Sequence, residues 1–275
     1  MNRLIFSLYV EVPDDQFVDN VETNLNTKKE MNDNYQRLID CKQQYADSIG
    51  VDFVMVNKYL DYYDEMKSKY PFLTTYNIIN FYKIFLLYKF SSKYDEILFL
   101  DFDVVPNTKE NFFEVWDLSK GVAVLNNNDK VLRMSQITET TQTIRSPTSK
   151  YYNTQAMLFD MGMKTENDVI NTGIIGINKS NLYKLAYFNQ FDQDMIKMTQ
   201  LKFDTSIFPK KIVDYFGYDN ETLFGVKLKQ NDVPVQWLDD KWHYFFDNWL
   251  FIPEETKLIH AINKRFDIVW RNISA

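Results

Sequence analysis

Glu96-Ile97-Leu98-Phe99-Leu100-Asp101-Phe102-Asp103-Val104-Val105-Pro106 is the stretch on which the fold turns. An uninterrupted apolar run, bounded by charge, reads as a strand buried on both faces, the kind found at the centre of a parallel sheet. It ends in two aspartates one residue apart. Side chains alternate along a strand, so Asp101 and Asp103 are expected to point the same way. Paired carboxylates repel unless a cation lies between them. Hard divalent cations such as Mg²⁺ and Mn²⁺ take oxygen ligands and keep positions open for phosphate oxygens. In open α/β sheets, ligands bind at the carboxyl ends of the strands. The segment therefore reads as a central strand delivering a metal and diphosphate site. A strand end with solvated aspartates is the plainer alternative.

Working outward, Leu4–Val10 reads as a first strand and Val51–Val56 as a second. Between them Tyr35, Leu38, Ile39, Tyr45 and Ile49 recur near helical spacing, with Gly50 as the stop. Thr74 or Thr75 can cap a helix that places Tyr76, Ile79, Tyr82, Phe85 and Leu86 on one face. This β-α-β-α-β order predicts an α/β fold, a mostly parallel central sheet flanked by helices on both faces. Later strands are expected at Gly121–Leu125, Val169–Asn178, Asp232–Leu238 and Lys257–Ile259, with a helix over Asn181–Leu201. Residues 126–150 are rich in Asn, Thr, Ser and Gln. Ser146-Pro147-Thr148-Ser149 adds a loop signal, so this region reads as a lid within one domain spanning 1–275.

Composition narrows the classes. With 275 residues and 45% hydrophobic content the chain can bury a large core, and disorder is disfavoured. A net charge of −7 argues against a broad nucleic-acid surface, so an anionic small substrate would need a local cation. One cysteine, Cys41, excludes an internal disulfide and a cysteine zinc site, and two histidines exclude a His-rich one. No segment approaches the roughly 20 apolar residues of a membrane span, and Leu4–Val10 reads as a core strand rather than a signal peptide. A cytoplasmic enzyme is the expectation. Aromatic residues at 16% suit sugar-stacking surfaces, and a codon bias explains them equally well.

Three further segments bear on chemistry. Ile170-Asn171-Thr172-Gly173-Ile174-Ile175-Gly176-Ile177-Asn178 puts glycines in a strand, either as a bulge or to admit a ligand close to the backbone, with Asn171 as donor and acceptor. Asp219-Asn220-Glu221 opens a short helix, and Asp219 is either its cap or a site group. His260 follows an apolar strand, with Lys264 four residues on. A lone histidine is more often structural, but a neutral imidazole at a strand end is a good metal ligand, and Lys264 could meet phosphate oxygens.

In that order, from Tyr94–Asp103 through Ile170–Asn178 and Asp219–Glu221 to His260, the chain resembles the glycogenin and lipopolysaccharide galactosyltransferase group. These are GT-A-fold, metal-dependent nucleotide-sugar transferases, also described as family 8-like. The resemblance covers most of the chain, to about Trp270. It implies Asp101 on the donor ribose and metal, Asp103 as principal metal carboxylate and His260 as third protein ligand. Asn171 and Gly173 would meet the donor sugar, and Asp219 would lie near the anomeric carbon. Leu8, Lys83, Phe102, Asn220 and Lys264 complete the donor-binding set. Lys83 stands where the group usually has an arginine, Asn220 where a glutamine is usual, and Asn263 where a glycine is usual. The implied reaction moves a sugar from a nucleotide sugar, UDP-linked, to a hydroxyl of a carbohydrate or other acceptor, with Mn²⁺ or Mg²⁺ and with retention.

Two other readings stay open on the sequence. A sugar nucleotidyltransferase would carry a Gly-rich basic loop after strand one, and Ser7–Asp15 has no glycine, lysine or arginine. A non-catalytic carbohydrate-binding domain with a structural metal would need no nucleotide affinity. Acceptor contacts are expected from residues 126–150 or the aromatic segment Trp237–Trp249.

Overall fold

A computed structural model of the protein describes residues 1–12, 26–129, 146–203, 217–247 and 251–273. Its centre is a six-stranded sheet. The strands are β1 (Arg3–Leu8), β2 (Asp52–Val56), β3 (Glu96–Asp101), β5 (Val122–Asn126), β6 (Ile170–Asn178) and β7 (Val235–Trp237), in the order β2-β1-β3-β6-β5-β7. β1 pairs in parallel with β2 and β3, and β5 with β7. β6 runs antiparallel to both its neighbours, β3 and β5. Five strands thus share one direction, as expected, and β6 alone is reversed. That reversal sets the start of β6 beside the carboxyl end of β3.

The apolar runs of β1 and β3 explain their central place. Leu4 and Phe6 pack with Ile97, Phe99, Ile175 and Ile177 on one face. Ile5 packs with Leu98, Leu100 and Ile174 on the other. Both faces are covered, so neither strand can alternate with polar residues. A second, three-stranded sheet joins β4 (Val104–Pro106), β9 (Leu258–His260) and β8 (Tyr244–Phe245). Beneath it lies a third apolar cluster that includes Val105, Phe246, Ile259, Phe266 and Val269.

The helices follow local signals. α1 (Thr27–Asp33) is capped by Asn26, and α2 (Tyr35–Ser48) ends before Gly50, whose φ of 69° suits a residue without Cβ. After α3 (Tyr62–Lys69), α4 (Thr75–Phe90) begins in a capping box between Thr74 and Asn77. The expected one-sided face of α4 is not what forms. Tyr76 is 70% exposed and Phe85 38%, while Lys83 is buried, because β3 and three helices surround α4. α5 (Phe112–Val115) follows β4.

α6 (Ser146–Asp160) was not expected: its first turn is the Ser-Pro-Thr-Ser stretch read as a loop. Proline in a first helical turn loses no hydrogen bond, which is why the signal misleads. Residues 130–145 of the expected lid lie outside the described residues. The single helix expected over Asn181–Leu201 is two, α7 (Lys179–Leu185) and α8 (Phe191–Phe203). The chain between them turns through Ala186 and Gln190, both at positive φ. α9 (Asn220–Gln230) and α10 (Phe266–Asn272) complete the described helices. No helix among the described residues is long and apolar enough to cross a membrane.

Candidate active site

The two aspartates do not share a strand. β3 ends at Asp101, and Phe102-Asp103 form a turn into β4 in the second sheet. The turn, rather than strand alternation, brings the carboxylates together. Lys42 holds it from below. The Lys42 ammonium is fully buried and donates to the carbonyls of Phe102 (2.8 Å) and Leu38 (3.0 Å), and burial pushes it below the ordinary lysine range. The Phe102 ring is stacked on Tyr9 at 4.4 Å and tilted against Tyr35, so it belongs to the core. Leu8, at the end of β1, lies beside Asp101 in the ladder.

His260 reaches the turn through β4 and β9. Val104 pairs with His260, and the Ala261 N–H donates to the Asp103 carbonyl at 3.0 Å. His260 Nε2 stands 3.5 Å from Asp103 Oδ1 and 4.0 Å from Asp101 Oδ2. One ligand atom from each of the three residues lies within 4.8 Å of the others. Adjacent ligands around a small divalent ion held at about 2.1 Å are roughly 3 Å apart. The His260 separations of 3.5 and 4.0 Å are wider than this, so the two carboxylates and the imidazole converge on a place that such an ion would fill by drawing them in by about 0.5–1 Å.

Cations border the same place. Lys264, at φ 57°, puts its Nζ 2.5 Å from Asp103 Oδ2. Burial pushes Asp103 up, but the charges and hydrogen bonds of Lys264 and His260 outweigh it and hold the carboxyl well below the usual range. Lys83, buried on α4, sits 3.4 Å from Asp101 Oδ1.

The start of β6 forms the adjoining wall. Asn171 Oδ1 accepts from the Gly173 N–H at 2.9 Å. Gly173 lies against the His260 ring: a Cβ there would fall 2.4 Å from Cε1 and 2.7 Å from Nδ1. The glycine is in extended backbone and is required by proximity, not by conformation. Asp219 is the cap of α9, its Oδ2 accepting from the Thr222 N–H (3.1 Å) and hydroxyl (3.0 Å). Asn220 is buried and donates to Thr172 Oγ1 at 2.9 Å.

Sequence reading missed the partners of Glu221. Its carboxylate accepts from the Thr172 N–H (2.7 Å) and hydroxyl (3.1 Å) and pairs with Lys150. Burial pushes Glu221 up, while Lys150 and, further off, Lys83 bring it below its ordinary value. Lys150 lies in the polar stretch read as a lid, and only its place at residue five of α6 brings it to Glu221. Trp237, expected near the acceptor, lines a cavity of about 480 Å³ with Met163, Asp168, Leu228 and Lys229, which shares no residue with the acidic cluster.

Known proteins place the chain in a family. The sequence profile of glycosyl transferase family 8 matches residues 5–262. Among curated proteins, none matches the chain. Similar solved structures include a glycosyltransferase involved in glycosylation of the major capsid of PBCV-1 (11% identity, 98% of this chain and 100% of that one, TM-score 0.49). They also include the galactosyltransferase LgtC with donor and acceptor sugar analogues (10% identity, 99% and 97%, TM-score 0.47), and mouse xyloside xylosyltransferase 1 (9% identity, 95% and 98%, TM-score 0.47). These are distant likenesses, whereas the profile spans nearly the whole chain. The protein is a glycosyltransferase and belongs to glycosyl transferase family 8.

Proposed function

We propose that this glycosyltransferase takes its sugar from a UDP-linked donor with the help of Mn²⁺ or Mg²⁺, and passes it with retention to a hydroxyl of a carbohydrate or other acceptor. The observation that carries the reading is the convergence of Asp101, Asp103 and His260 to within 4.8 Å, flanked by Lys264 and Lys83. A divalent cation held there would supply electrostatic stabilisation to a diphosphate leaving group. Lys264 adds positive charge beside Asp103, where the diphosphate would lie. Lys83 keeps Asp101 in place and stands in the field of Glu221 as well, which links the acidic cluster to the start of α9. Asn171 and Gly173 border the donor sugar, with Leu8, Phe102 and Asn220 behind the donor pocket. Asp219 is the carboxylate assigned to the anomeric carbon, with its Oδ2 committed to the cap. The chain acts as one catalytic domain over 1–275.

The test is calorimetry with UDP and Mn²⁺, followed by a screen of nucleotide sugars for metal-dependent hydrolysis. Asp103→Ala should abolish metal-dependent UDP binding and lower turnover by a factor on the order of 10² or more. Full activity in EDTA overturns the reading. NMR of the first-formed product settles retention: an inverted anomer removes the role given to Asp219.

A further inference from the structure

His243 is the other of the two histidines in the chain, and nothing in its sequence setting draws attention to it. β8 and β9 run in parallel with Phe245 opposite His260. His243, in the bend just before β8, brings its ring against both Phe245 and His260. His243 and His260 are stacked with centroids 5.3 Å apart, and Phe245 is tilted against both, 5.2 Å from His260 and 4.9 Å from His243. Within this stack His243 Nε2 stands 3.0 Å from His260 Nδ1. Both residues are buried, at 1% and 6% exposure.

An N···N contact of this length between imidazoles holds one proton, and its position decides what His260 can do. A proton on His243 Nε2 leaves His260 Nδ1 as acceptor. A neutral His260 then carries its own proton on Nε2, aimed at Asp103, and offers no lone pair to a cation. A proton on His260 Nδ1 makes His243 the acceptor and leaves the His260 Nε2 lone pair facing the aspartates. Metal-bound histidines regularly donate their second ring N–H to a fixed acceptor, which sets the tautomer and aims the ring. Carboxylates or backbone carbonyls usually fill that place, and at His260 the group in reach of Nδ1 is another imidazole.

We propose that His243 is a positioning residue for the cation site: it accepts the Nδ1–H of His260 and so holds His260 as a neutral ligand with Nε2 directed between Asp101 and Asp103. The inference rests on the metal reading above. His243 touches neither cation nor donor; it acts through His260. It also supplies the neighbour that keeps the ring from turning, since Phe245 and Gly173 restrict the ring by packing alone.

Two variants separate hydrogen bonding from packing. His243→Gln keeps a carbonyl acceptor near Nδ1, and His243→Phe keeps the ring and the stack but accepts nothing. Mn²⁺ binding, measured by the EPR signal of the free ion, should be near wild type in His243→Gln and weakened about 10–100-fold in His243→Phe, the usual scale for an outer partner of a ligand. Near-UV circular dichroism checks that both are folded. With two histidines, ¹⁵N-histidine labelling yields two ring spin systems. In Mg²⁺-saturated wild type, His260 should carry its proton on Nδ1 and His243 should be unprotonated at Nε2. Wild-type Mn²⁺ affinity in folded His243→Phe, or a proton on His260 Nε2 in the Mg²⁺-loaded protein, overturns the proposal. Failure of the metal reading looks different: the wild type itself then binds no Mn²⁺, and the proposal falls with it.

Discussion

Replacing Gly173 by alanine tests the geometry of the site with a single methyl group. The strand backbone accepts alanine, so any effect is steric. The new Cβ would fall 2.4 Å from His260 Cε1, and ordinary contact begins at 3.4 Å, so one side must give by about 1 Å. β6 cannot yield easily, because it is paired on both sides, Ile174 with Leu100 and Asn171 with Leu125. His260 is held across from Val104 and against His243. Forcing a methyl into such a place costs about 1–3 kcal/mol of stability. Metal–ligand distances tolerate only about 0.2 Å, so a ring pushed aside by 1 Å is no longer a ligand. Gly173→Ala should lose about 1–3 kcal/mol in urea unfolding without metal and bind Mn²⁺ about 10–100-fold more weakly by calorimetry, on the scale of disturbed ligand support. Gly225→Ala is the control: its Cβ would meet Thr154 and Ile170 at 3.6 and 3.7 Å inside a helix, so it should gain about 0.5–1 kcal/mol. Unchanged stability and Mn²⁺ affinity in Gly173→Ala would refute the reasoning.

Two other perturbations probe the charges. Lys264 competes with any cation for Asp103, so Lys264→Met should bind Mn²⁺ at least as tightly as wild type while binding UDP, with Mn²⁺ present, about 10-fold more weakly, the scale of one lost charged hydrogen bond; weaker Mn²⁺ binding would contradict the role given to Lys264. Glu221→Gln leaves Lys150 without its counter-ion and should cost about 2–3 kcal/mol at pH 7, less than a fully buried pair because the Lys150 side chain keeps 26% exposure. Because the folded Glu221 carboxyl is held below its ordinary value, its contribution is present above the unfolded value of about 4.3 and is lost as pH falls through the folded one. The difference between wild type and Glu221→Gln in chemical denaturation should therefore shrink on acidification below about pH 4, and a constant difference would count against this sign.

What could be read from the chain was what sat at the ends of long apolar runs. Asp101, the glycines of β6 and His260 each follow or lie within a strand whose burial writes itself into the sequence. Of the second sheet only β9, expected at Lys257–Ile259 and ending in His260, left such a trace; β4 and β8 left none. β4 and β8 have three and two residues, too few for a period, so neither the turn at Phe102-Asp103 nor the pairing of His243 with His260 could be read. Lys42 was hidden for the opposite reason, and Lys83 was named only through the family resemblance. Each is a charged residue in a helix that would ordinarily face water, and each is buried because a carboxylate or carbonyls at the end of β3 receive it. The signal for Lys150 was masked by the polar company it keeps.

The pairing of Val104 with His260 spans most of the chain, and this has a consequence for how the protein matures. Joining segments so far apart requires the intervening polypeptide to be closed into a loop, an entropy cost that local helices never meet. During synthesis the aspartates emerge long before β9. A nascent chain released before Leu258 would keep its acidic turn and lack both the third ligand and the strand behind it. On the proposed reading, a cation that binds only the closed form acts as a clasp on this last step. At a free concentration 100 times its Kd it would add about 2.7 kcal/mol to the closed form. Protease resistance of the segment around β8 and β9 should then track Mn²⁺ concentration, while the six-stranded sheet stays indifferent to it.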